Sequence, residues 1–137
     1  VSTVSVVTPS VALADSGRPV DGSYVREPVR NAVPLREAWR RYRLPIIVSE
    51  VHHGCTRDEQ LRWFAEVWEA ARELRKEGVD LRAVTLWSLF GAVDWRSLLT
   101  RKEGVYDVGA FDVRGPEPRP TALAKAAWNS SLEDGSR

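Results

Sequence analysis

The sequence predicts an α/β fold with a parallel sheet. Two short runs, IIVS at 46 to 49 and AVTLWSLF at 83 to 90, are rich in apolar and β-branched residues, which is typical of strands buried on both faces. Segments with apolar residues at helical spacing precede, separate and follow these runs. The order helix, strand, helix, strand, helix is a βαβ pattern, and strands connected in this way lie parallel under a cover of helices.

Composition limits the class of protein. A chain of 137 residues with 43% hydrophobic and 28% charged residues is expected to form one globular domain. The formal net charge of +1 gives no reason to expect nucleic acid or a membrane surface as a partner. No apolar run approaches the ~20 residues of a membrane helix, and a single cysteine excludes an internal disulfide. We therefore expect a cytoplasmic protein.

Three regions are predicted along the chain. Residues 1–33 carry loop chemistry and form an irregular segment, with a candidate short strand in VSTVSVV. Residues 34–128 hold the β/α units, beginning with a helix at Pro34 and ending with the helical segment TALAKAAW. Residues 129–137 form a polar tail.

The central helix has clear boundaries. Thr56 and Glu59 have the spacing of a capping box, in which each side chain accepts a hydrogen bond from a backbone N–H at the start of a helix. Gly78 is a suitable residue to end it. The charged face that includes Arg57 and Arg62 is expected to be solvated.

Candidate reactive groups follow the two predicted strands. Glu50 ends the first strand, and Trp87, Asp94 and Trp95 lie at or beyond the end of the second. The carboxyl ends of parallel strands meet at one edge, where α/β sheets and β/α barrels place their active sites. A carboxylate beside aromatic rings suits a sugar, because a tryptophan can stack on the apolar face of the ring. The alternative is that Glu50 forms a cap or a salt bridge and that Trp87 packs in the core.

The remaining tryptophans are expected in the core, because they lie on helical faces: Trp39, Trp63, Trp68 and Trp128. A metal site is not expected. Only His52, His53 and Cys55 offer nitrogen or sulfur ligands, and adjacent histidines on an extended segment point to opposite sides. One histidine is expected at the edge of a sugar pocket, and Cys55 is expected to be a structural thiol.

Three blocks of the sequence resemble the C-terminal part of family 1 glycoside hydrolases. The blocks are PIIVSE, GVDLRAVTLWSLFGAVDW, and GVYDVGAFDVR followed by RPTALAKA. The resemblance implies the C-terminal portion of a (β/α)8 TIM barrel, about strands 7 and 8 with their helices, and therefore an incomplete barrel. An intact barrel has about 250 residues.

The resemblance also implies a site. Glu50 takes the place of the catalytic nucleophile, Trp87, Asp94 and Trp95 take the places of sugar-binding residues, and His52 lies next to the nucleophile at the pocket edge. The family's acid/base glutamate lies in an Asn-Glu-Pro motif, and this sequence contains none. A retaining hydrolase needs two carboxyl groups, so the second one is expected outside this chain.

The chain departs from the family pattern near the site. His52 and His53 stand where the family has Asn-Gly, Gly91 replaces an aspartate, and Asp94 replaces a glutamate. The subfamily that this sequence most resembles contains a segment similar to TEVHLGCTREEQLRW. In several members of that subfamily, the barrel is fused to a dTDP-4-dehydrorhamnose reductase-like domain.

Three functions remain open from the sequence. The first is a glycoside hydrolase acting on a β-linked sugar, and the second is a carbohydrate-recognition or scaffold region without catalysis, attached to a sugar-nucleotide enzyme. The third is a truncated product without independent function. The expected partners are a carbohydrate and the missing N-terminal part of the barrel. No cofactor, nucleic acid or membrane is expected.

Overall fold

The structure is a computed structural model that describes residues 4–7, 32–51, 56–95 and 100–135. The described residues contain ten elements in this order: β1 (Val4–Val7), α1 (Ala32–Tyr42), β2 (Ile46–Val51), α2 (Arg57–Lys76), β3 (Leu81–Leu86), β4 (Ala92–Val93), β5 (Tyr106–Asp107), β6 (Phe111–Asp112), β7 (Arg119–Pro120) and α3 (Ala122–Gly135).

The first three strands form one parallel sheet in the order β1-β2-β3. The central strand β2 pairs with β1 from Val4 opposite Ile46 and with β3 from Ile46 opposite Leu81. The α/β class with a parallel sheet is therefore confirmed. Strand β1 adds a third parallel strand, within the segment where the sequence offered a candidate strand.

The core lies between this sheet and the helices. Leu35 of α1, Val67 and Leu74 of α2, and Ile46 and Val48 of β2 are fully buried in it. These residues lie at helical spacing on α2 and at alternate positions on β2, which is why each element presents one apolar side. The sequence periodicity thus determines the faces that meet.

The boundaries of α2 agree with the sequence prediction. Thr56 is the N-cap, and its side chain and that of Glu59 form the reciprocal capping box. The helix ends before Gly78, whose φ of 85° lies in the left-handed region that glycine enters at low cost.

The last helix differs from its prediction. Helix α3 continues to Gly135, because the segment after Trp128 contains no glycine or proline before that residue. The expectation that Trp128 lies in the core is wrong, since 67% of its surface is exposed. Leu123, Ala126 and Ala127 face the core at i, i+3 and i+4, and Trp128 falls outside that face. Trp39, Trp63 and Trp68 do pack against the core.

Strand β3 is shorter and more exposed than its sequence predicts. It ends at Leu86, and only Leu81 of its six residues is buried. The run of apolar residues predicts burial on both faces, but β3 is an edge strand among the described residues. After β3, Phe90 forms a parallel bridge with Phe111.

Two antiparallel pairs follow the parallel sheet, β4 with β5 and β6 with β7. Within the part of the chain that the structure describes, no helix is long and apolar enough to cross a membrane.

Candidate functional site at the strand ends

Glu50 lies at the carboxyl end of the central strand and is exposed. Strict alternation would place it on the buried side of β2 together with Ile46 and Val48. The pairing of β2 is irregular after Val48 on both sides, toward β1 and toward β3. Val51 takes the buried position instead, at 3% exposure. Such an irregularity re-aims a side chain, and here it turns the carboxylate of Glu50 away from the core.

Trp87 is close to the end of β2. Its backbone N–H donates to the carbonyl of Val51 over 3.2 Å, so it directly extends the pairing of β2 and β3. Its ring lies beside that of Trp95, with 4.6 Å between ring centroids and 33° between ring planes. The peptide bond between Trp87 and Ser88 is cis. Two of the predicted sugar-binding residues therefore form one aromatic pair next to the end of the central strand.

Asp94 is buried, and its carboxylate holds a loop. One carboxylate oxygen accepts from the N–H of Val105 over 2.8 Å and the other from the N–H of Glu103 over 3.1 Å. Its own N–H donates to the carbonyl of Val105 over 2.7 Å. Asp94 has a φ of 59°, a conformation in which aspartate is one of the tolerated residues. The structure thus gives this residue a bracing role beside the Trp87–Trp95 pair.

Gly91 allows Tyr106 to pack against the strand-end segment. A Cβ on Gly91 would overlap the hydroxyl of Tyr106 and lie 2.8 Å from the carbonyl oxygen of Asp107. Tyr106 in turn accepts from the N–H of Val113 over 3.1 Å and lies under the guanidinium of Arg114. The packing found here therefore requires a glycine at position 91.

An ion pair holds the next turn. Arg114 donates to both carboxylate oxygens of Asp112, over 3.0 and 2.9 Å. These hydrogen bonds hold the pKa of Asp112 well below its usual range. Arg119 lies 3.6 Å from the same carboxylate. The charges stabilise the turn between β6 and β7.

Arg57 is the residue that sequence reasoning missed. The prediction that it is solvated is wrong, because the side chain is half-buried and its Nη2 donates to the carbonyls of Val108 and Gly109, over 2.9 and 3.2 Å. Burial lowers the pKa of its guanidinium. Its partners lie 51 and 52 residues away, so no local pattern could have indicated them.

His52, His53 and Cys55 lie outside the described residues, and so do the predictions made for them. Among the residues that are described, no group of three histidine, cysteine, aspartate or glutamate side chains could hold a metal ion.

The fold is that of a portion of the β/α barrel found in glycosidases, as comparison with solved structures shows. A β-glycosidase called BGL167 matches with a TM-score of 0.59 and 19% identity, over 85% of this chain and 28% of its own. A β-glucosidase called 1317 matches with a TM-score of 0.58 and 20% identity, over 80% and 26%. A family 1 β-glucosidase from Exiguobacterium antarcticum B7 matches with a TM-score of 0.53 and 19% identity, over 76% and 24%.

The chain spans about a quarter of the length of these solved glycosidases. No protein-family profile matches it, and no curated protein matches it. The similarity therefore establishes the fold, and the activity needs its own argument from the strand ends.

Proposed function

We propose that this chain supplies strands 7 and 8, with their helices, to a family 1-like glycoside hydrolase that acts on a β-linked sugar with retention of configuration. The observation that carries the proposal is the position of Glu50. Glu50 is an exposed carboxylate at the carboxyl end of the central strand, and the pairing irregularity turns it out of the core. The next residue, Val51, accepts a hydrogen bond from the backbone N–H of Trp87. Barrel enzymes build their active sites at this edge.

In the proposed reaction a carboxylate oxygen of Glu50 attacks the anomeric carbon and forms a covalent glycosyl-enzyme. The bond to the leaving oxygen breaks, and an acid/base carboxyl group outside this chain protonates that oxygen. Water then attacks the same carbon, gives its proton to the acid/base group, and releases Glu50 with retained configuration at the sugar.

Asp94 does not fit the role of the second carboxyl group. Both of its oxygens already accept backbone N–H bonds, and the residue is 7% exposed. Donors of this kind stabilise the ionised form, whereas an acid/base group must carry a proton when the leaving oxygen needs it. A hydrolase built on Glu50 therefore needs an acid/base residue outside this chain.

Sugar binding is assigned to the four residues that the sequence resemblance indicates for it. Trp87 and Trp95 supply aromatic surface for the apolar face of a sugar ring, and Asp94 and His52 supply polar groups for its hydroxyls. For Asp94 this requires a carboxylate lone pair beyond those used by Glu103 and Val105, and a carboxylate has about four acceptor positions.

A second candidate is a carbohydrate-recognition or scaffold region without catalysis, since the hydrogen-bonded Asp94 does not supply the second carboxyl group that hydrolysis needs. If no acid/base carboxylate lies upstream, the aromatic pair could still bind a sugar while Glu50 has no partner for hydrolysis. The attachment of such a region to a dTDP-4-dehydrorhamnose reductase-like domain remains a prediction from the sequence resemblance.

A binding measurement tests the sugar site. We expect that a Trp87→Ala change in the full-length protein weakens binding of a methyl β-glucoside at least about tenfold, or about 1.4 kcal/mol, by isothermal titration calorimetry. The loss of stacking surface is the physical reason. A Trp128→Ala change removes an exposed tryptophan from α3 and is expected to leave the affinity unchanged. Equal affinities for the Trp87 variant and the parent would contradict the proposed site.

A further inference from the structure

Arg57 connects the beginning of α2 to a distant loop. It is the first residue of the helix and follows Thr56, the N-cap that comes after the strand carrying Glu50. Its Nη2 donates to the carbonyls of Val108 and Gly109. Its Nη1 is buried and has no hydrogen-bond partner among the described residues. A half-buried guanidinium is costly to desolvate, so its burial at this position calls for an explanation.

The loop that Arg57 contacts lies directly against the segment that follows Trp87. Ala110 donates its N–H to the carbonyl of Ser88, and Phe111 donates to that of Leu89, both over 2.8 Å. Gly109 is so close that a Cβ would lie 2.5 Å from the carbonyl carbon of Phe90. The two backbone segments are therefore in direct contact, so a displacement of one is expected to displace the other.

Two hydrogen-bonded steps thus lead from Arg57 to the aromatic pair. The guanidinium holds residues 108 and 109, the following residues hold the backbone at 88 and 89, and Trp87 is the next residue in the chain. Thr121 also contacts this loop, since its hydroxyl donates to the carbonyl of Ala110 over 2.9 Å. A shift of this loop would move the backbone that orients the ring of Trp87.

We propose that Arg57 is a positioning residue for the sugar site, fixing the 108–111 segment against the 88–90 segment and thereby the ring of Trp87 beside Trp95. This role rests on the function proposed above, because the aromatic pair is the proposed sugar platform. Arg57 does not contact the sugar and takes no part in bond making or breaking.

The geometry of the pair can be measured without any sugar. Two indole rings 4.6 Å apart couple electronically and give a characteristic circular dichroism band. We define the coupling signal as the part of the circular dichroism spectrum that is lost when Trp87 is changed to Phe. The Arg57→Met change keeps an apolar side chain of similar length and removes the hydrogen-bond donors. We expect this variant to lose more than half of the coupling signal and to keep the far-ultraviolet signal of its helices. Arg57→Lys is expected to recover part of it, because a lysine is a donor without the planar fork of arginine.

Arg62→Met is the matched control, since Arg62 is an exposed arginine on the same helix, and it is expected to keep the full signal. A full signal in Arg57→Met would overturn the proposal. If Arg57→Met fails to fold, Arg57→Lys decides alone: a partial signal supports the role, and a full signal overturns it. Failure of the parent protein to bind a β-glucoside would refute the proposed sugar function and leave the measured positioning of Trp87 intact.

Discussion

Glu50 and Val51 exchange the faces that a regular strand would give them. The carboxylate would otherwise lie on the side of Ile46 and Val48, where an unpaired charge is too costly to keep. The irregular pairing after Val48 removes this conflict, and it also places Val51 in the core. An exposed charged side chain and a buried packing side chain are thus both accommodated within two residues of sequence.

Gly91 gives a direct test of packing at the residue scale. Changing Gly91 to alanine is expected to destabilise the fold by about 1 to 3 kcal/mol, because the added methyl group overlaps the Tyr106 ring and the backbone at Asp107. Urea denaturation of both variants in the full-length protein measures the free energy of unfolding. Gly115→Ala is the control, since the nearest atom to its Cβ would be 3.8 Å away. Equal stabilities of the two variants would contradict the described packing.

Individual residues also show which features the sequence could predict. The position of Glu50 at a strand end follows from the local run of β-branched residues and from the capping box that comes after it. The exposure of its side chain does not, because it depends on an irregular register that no spacing reveals. The contact of Arg57 with the loop near Gly109 and the exposure of Trp128 likewise depend on how distant elements pack.

Helix α2 is the element whose sequence and structure agree most closely. Its start is determined within four residues by Thr56 and Glu59, and its apolar face repeats through Phe64, Val67 and Leu74. Strand β3 agrees less well, because burial of a strand depends on its neighbours in the sheet rather than on its own residues. Local signals therefore determine where an element begins, and tertiary context determines how much of it is covered.

The capping box predicts a measurable contribution to stability. Thr56→Ala is expected to lower the free energy of unfolding by about 1 kcal/mol, because the hydroxyl acceptor for the N–H of Glu59 is lost. Thr56→Ser keeps the hydroxyl and serves as the control, with a much smaller expected loss. Thermal or urea unfolding of the two variants in the full-length protein is the measurement. An alanine variant as stable as the serine variant would show that the cap contributes nothing.

At the scale of the whole molecule, the described sheet is open. Strands β1 and β3 are its edges among the described residues, and an open edge of a parallel sheet offers unpaired backbone groups to another chain. Beyond β3, Leu89 and Phe90 expose 58% and 50% of their surfaces. In the solved glycosidases that share this fold, the matching region is about a quarter of the chain. Among the described residues, these edges and exposed apolar side chains agree with the proposal that further barrel strands pair with this sheet.

The open sheet leads to a prediction about solution behaviour. Expressed by itself, the chain is expected to associate or precipitate, because exposed apolar surface and open edges favour self-association. Sedimentation velocity is expected to show species larger than the 15.4 kDa monomer. A monodisperse monomer that unfolds cooperatively would contradict this prediction.

Covalent trapping of Glu50 in the full-length protein is the most direct test of the proposed hydrolase. An activated fluoro-β-glucoside is expected to leave one sugar on the peptide that contains Glu50, because the fluorine slows release of the glycosyl-enzyme more than its formation. Mass spectrometry of the digested protein locates the label. The label is expected to be absent in Glu50→Gln and retained in Glu66→Gln, which changes an exposed glutamate of α2. Labelling of another carboxylate, or no labelling of the folded full-length protein, would contradict the assignment of Glu50 as the nucleophile.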